Sequence, residues 1–83
     1  MSDLDEMAAK AADARIGARV RAMRESRGWS LRDFAAEAKR IGVKGLSYSK
    51  VSQMEHARRQ WSTLYAARFA RVLDVDVETI LGG

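Results

Sequence analysis

Apolar residues recur along the chain at the three- and four-residue spacings of amphipathic helices, and alternating strand patterns are missing. The clearest stretch is RIGARVRAMRESRG. There Ile16, Val20 and Met23 fall at helical spacing and Gly28 supplies a stop. Trp29 bridges to Ser30, which with Asp33 makes an N-cap and third-position acid opening SLRDFAAEAKRI. Leu31, Phe34, Ala35 and Ala38 form the expected inner face of that helix. Gly42 and Gly45 bracket a turn, and Ser47 is the cap candidate for a third helix. Beyond HARRQ, Ser62 or Thr63 opens another, with Leu64, Ala66, Ala67, Phe69, Ala70 and Leu73 as expected core. A short last helix, VETIL, follows a cap candidate at Asp76. Upstream, Ser2 and Asp5 can start a helix through the alanine-rich LDEMAAKAADAR, either separate from the next or continuous with it. The expectation is all-α: a compact bundle of five helices, or six with an N-terminal one. Residues 1–14 are expected to be an acidic, alanine-rich helical extension, and residues 15–83 the domain proper.

The third helix, within GLSYSKVSQMEHARRQ, has little apolar surface. Stepping 100° per residue, Val51, Met54 and Glu55 share one side, with Ser47 and Tyr48 near its edges. Ser49, Gln53 and His56 fall opposite, flanked by Ser52 and Lys50. The outer face thus carries hydroxyls and one amide bordered by cations, with no long acid. Such a face suits a DNA major groove. Small hydroxyls allow close approach, and a glutamine can pair with two edge atoms of adenine. Lys50, Arg58 and Arg59 are placed to reach phosphates, and the Ser47 and Ser49 hydroxyls at the helix start can bind a phosphate oxygen. Glu55, on the inner side, needs a partner. Arg24, one position after Met23, is the natural one.

Charge sharpens this picture. The net charge of +4 conceals −3 over residues 1–13, −3 over residues 74–83, and fourteen bases against four acids between them, or +10. A basic middle favours a polyanionic partner. With one histidine and no cysteine among 83 residues, most nucleophile–base pairs and histidine or cysteine metal sites are excluded. Neither catalytic residue, metal nor cofactor is expected. No run is long and apolar enough for a membrane span, and the acidic opening does not fit a secretory signal, so a cytoplasmic location is expected.

The sequence resembles the Cro and phage-repressor type of helix-turn-helix domain, the XRE group, over roughly residues 16–81. IGARVRAMRESRGWSLRDFA resembles its first helix and the start of its second, SYSKVSQME its recognition helix, and FARVLDVDVETIL its last two. The resemblance implies five helices, the third lying in the major groove. It places Tyr48, Ser49 and Gln53 at base-reading positions, with Ser52 beside them expected to read bases too, and makes Arg24 and Glu55 a buried ion pair. It puts Ser30, Lys50 and Arg58 at phosphate-contacting or flanking positions, and Arg32, Ser47 and Arg59 are expected at phosphates with them. Four features depart from the pattern. The link from Ala35 to Gly45 is about six residues longer than usual, and Leu31 stands where many members have glutamine. Ala57 replaces the usual glycine after the recognition helix, so the helix is expected to continue through it. Trp61 replaces the usual proline.

What the resemblance implies for function is a sequence-specific DNA-binding transcriptional regulator, a repressor or autoregulator, of a kind common on mobile elements. It would bind a near-palindromic operator on double-stranded DNA as a homodimer. The family's usual dimer surface corresponds to Val75–Leu81; the N-terminal helix is the alternative. The competing expectation is a protein-binding module on the same fold, an antitoxin or antiactivator, which the altered turn, Ala57 and Trp61 favour and the basic middle disfavours.

Overall fold

A computed structural model describes residues 3–82, so the Ser2 cap candidate lies outside the described residues. Five helices account for the regular structure there: α1 Asp3–Ser26, α2 Leu31–Arg40, α3 Tyr48–Glu55, α4 Thr63–Leu73 and α5 Val77–Leu81. The alanine-rich segment is continuous with the helix after it, so α1 runs for 24 residues with Asp3, Asp5 and Glu6 in its first turn. Acids there oppose the partial positive charge of the exposed N–H groups.

The core is built from the inner faces of all five helices, with α3 packed on α1 and α2. Val20, Phe34, Val51, Met54, Phe69, Leu73 and Ile80 are its largest fully buried side chains. Phe34 stacks on Phe69 with centroids 5.2 Å apart, and Trp61 meets Phe69 edge-on at 4.8 Å. The expected core of α4 needs correction. Leu64 is 59% exposed and Ala67 is exposed, while Val72 and Leu73 are buried. Leu64 stands across the helix axis from Ala66, Phe69 and Leu73, so its hydrophobicity does not bring it inside. Asp76 does sit at the N-cap of α5, but its side chain makes no capping bond.

Caps set the boundaries. Ser30 and Asp33 form the expected reciprocal box, Ser30 N–H donating to Asp33 Oδ2 (2.9 Å) and Asp33 N–H to Ser30 Oγ (3.0 Å). Ser47 and Ser62 accept from Lys50 N–H and Tyr65 N–H. Where α2 ends, Val43 N–H donates to the Ala38 carbonyl and Gly42 N–H to that of Lys39, the pairing of a Schellman motif. Gly42 (φ 82°) turns the chain. The long turn after it is not a floppy insertion, because Val43 and Leu46 fold back into the core.

The same motif ends α3. Arg58 N–H donates to the Gln53 carbonyl (2.9 Å) and Ala57 N–H to that of Met54 (3.1 Å), with Ala57 at φ 55°. The helix therefore stops at Glu55 and does not continue through Ala57. Two contacts hold it there: Trp61 Nε1–H donates to the Met54 carbonyl (3.0 Å), and α1 packs against the α3 terminus at Gly17. A left-handed alanine costs roughly 1 kcal/mol. Ala57→Gly should accordingly raise stability by about 1 kcal/mol, read as a higher urea midpoint at unchanged slope. A lower midpoint would show that the terminus is not left-handed.

Candidate nucleic-acid interface

α2 and α3 are joined by residues 41–47, longer than the three or four residues of a common helix-turn-helix. One buried pair sets the tilt of α3 against α1. Arg24 Nε–H donates to Glu55 Oε2 (2.7 Å) and Nη2–H to Oε1 (3.0 Å), a two-pronged fork, while Nη1–H donates to the Trp29 carbonyl (2.7 Å). The Glu55 side chain is 1% exposed. The hydrogen bonds to Glu55, more than its charge alone, hold the Arg24 guanidinium above its ordinary pKa, with burial opposing. The sequence-derived pair is present.

With that side anchored, the opposite side of α3 faces out. Tyr48, Ser49, Ser52, Gln53 and Arg58 line one cleft of about 290 Å³, together with Leu31 and His56. The four residues expected to read bases are therefore brought together. Arg32 reaches the cleft through Tyr48, its guanidinium 4.6 Å from the ring centroid. His56 Nδ1 lies 2.8 Å from the Ser52 carbonyl oxygen. A carbonyl only accepts, so Nδ1 carries the proton.

The residues expected at phosphates divide. Arg58 is exposed and its guanidinium has no partner among the described residues. Ser30 and Ser47 accept capping bonds, and both residues are exposed. Lys50 turns toward α4, where Nζ donates to Tyr65 Oη (3.2 Å) and lies 5.5 Å from the ring centroid. That bond is the main reason the Tyr65 phenol is held below its ordinary pKa, with the charges of Lys50, Arg59 and Arg68 adding to it against burial. Arg59 Nε–H donates to Gln53 Oε1 at 2.7 Å, a contact between a phosphate candidate and a base-reading one. Sequence spacing gives no sign of it, since the five intervening residues include the left-handed turn.

A further contact supports the loop after α3. Asp13 Oδ1 accepts from Trp61 N–H (3.1 Å), and Glu6, Lys10 and Asp13 line a cleft with Arg58 and Arg59. Among the described residues no group of acids and histidine is arranged to hold a metal ion, and no helix is long and apolar enough to cross a membrane. The sequence model of the helix-turn-helix domain matches residues 15–80. No curated protein and no solved structure matches the chain.

Proposed function

The chain belongs to the helix-turn-helix domain family, and from that premise we propose that it is a sequence-specific DNA-binding transcriptional regulator acting by occupancy of an operator. The observation that carries this is the shared cleft of Tyr48, Ser49, Ser52, Gln53 and Arg58, small hydroxyls and an amide beside an unpaired cation. Inserted in a major groove, α3 presents these groups to base edges. Arg58, with the Ser30 and Ser47 hydroxyls and Arg32, grips the flanking phosphates, which fix register without reading sequence. The +10 of residues 14–73 supplies the long-range attraction.

Two copies reading successive major grooves, about 34 Å apart, give a near-palindromic site. The start of α1 is the better surface for pairing, since Leu4 and Met7 are 75% and 65% exposed there. In the alternative, α5, Ile80 is spent on the core.

Titration against the chain's own upstream DNA and against scrambled duplex, at several salt concentrations, tests the proposal. Binding of the first that survives competitor is expected. Equal affinities falling steeply with salt reduce the interaction to charge alone. No binding to either leaves the competing protein-binding module, for which exposed Leu64 and an apolar cleft along Ala36, Val43 and Leu46 would serve. Gln53→Ala should relax preference at one base pair by about 1–3 kcal/mol while leaving the rest of the site unchanged. An unaltered preference means that α3 is docked differently.

A further inference from the structure

Resting on the DNA-reading role just proposed, we infer that Arg59 is a positioning residue for base recognition, and that Gln53 held by Arg59 reads guanine rather than adenine. The side chain of Arg59 carries only N–H donors, so the atom of the Gln53 amide facing it is the carbonyl oxygen. At 2.7 Å this is a short, charge-assisted bond. Adenine recognition by glutamine needs both halves of the amide: the NH₂ donates to N7, and the carbonyl accepts from the N6 amino group. With Oε1 turned to Arg59, the outward half of Gln53 is Nε2, a donor. The Nη groups of Arg59 beside it have no other partner among the described residues and are donors as well. With one Oε1 lone pair taken by Arg59, donors dominate the Gln53–Arg59 edge, on Nε2 and on the Nη groups. Guanine presents two acceptors there, N7 and O6, and satisfies them; the adenine N6 amino group would compete with Arg59 for the Gln53 carbonyl and face its Nη donors.

The chain path explains why this pair exists. The left-handed turn at Ala57 reverses the backbone after α3 and returns Arg59 beside Gln53. Trp61 fixes the loop at both ends, through Nε1–H on the Met54 carbonyl and N–H on Asp13.

Selection from a random duplex library, with the full chain and with Arg59→Ala, tests the assignment. Arg59 is exposed, and a melting curve by circular dichroism verifies the variant's fold. The wild-type chain should enrich guanine at one position of each half-site, the same position that Gln53→Ala relaxes. Arg59→Ala frees the amide carbonyl and should enrich adenine there, reversing the guanine-to-adenine ratio by about tenfold or more, the scale of one two-pronged contact. Adenine selected by the wild-type chain overturns the assignment. So does an unchanged preference in Arg59→Ala with a uniform loss of affinity, which returns Arg59 to the phosphates. Enrichment of no sequence by the wild-type chain overturns it together with the DNA-reading role, so the two failures are told apart.

Discussion

Arg24→Ala should destabilise the fold by roughly 3–5 kcal/mol, because it strands the Glu55 carboxylate in a site where its side chain is 1% exposed. A domain of this size has on the order of 4–12 kcal/mol in total, so the loss removes much of it. The Trp29 carbonyl loses its Nη1 donor in the same step. The expected drop in melting temperature is on the order of 20 °C. The pair itself need not be a net source of stability. Desolvating two charges costs several kcal/mol, and a well-packed apolar pair of similar volume is often as stable. Arg24→Met with Glu55→Leu should therefore recover most of what Arg24→Ala loses, short of about 1 kcal/mol for the Trp29 carbonyl. Chemical denaturation of the three proteins checks this. A loss below 1 kcal/mol in Arg24→Ala would mean that the pair is solvated, and a double variant as weak as the single one would mean that the fork supplies the stability itself.

Arg24 and Glu55 are legible in the sequence because each sits at a fixed angle on a regular helix. Glu55 shares the side of Val51 and Met54, and a carboxylate there requires a base. The same spacing separates Ser49 and Gln53 from that stripe. What is not legible depends on contacts between distant segments. The stop at Ala57 contradicts alanine's helix preference, and its causes lie elsewhere, in Trp61 on the Met54 carbonyl and in α1 at Gly17. Lys50 points to Tyr65, and Arg59 to Gln53, because loops of unknown path bring them there. Leu64 is a different case: its angle on α4 already sets it against Phe69 and Leu73, and only its residue type suggests the core. Angle is the better guide where the two disagree.

Gly17→Val should cost at least about 3 kcal/mol, although valine is the better helix former and position 17 lies inside α1. A Cβ at this position would overlap the Glu55 carbonyl oxygen and lie 2.8 Å from that of Met54. Both are backbone atoms, so a rotamer change cannot relieve the contact. Either α1 tilts away, stretching the Arg24–Glu55 fork two turns along, or the Schellman terminus of α3 opens. Gly17→Ala meets the same atom with no further methyls and gains about 1 kcal/mol of helix preference, so its net cost should be nearer 2 kcal/mol. The neighbouring position provides the contrast. Ala18 is exposed, and Ala18→Gly should lose about 1 kcal/mol from propensity alone. Alanine and glycine are then each preferred at adjacent positions of one helix, the first for the backbone's own sake and the second because another backbone lies against it. Urea midpoints of the three variants measure the difference. If Gly17→Ala proves more stable than the parent, the close approach of α1 to the end of α3 does not exist. The left-handed turn that returns Arg59 to Gln53 would then lose one of its two supports.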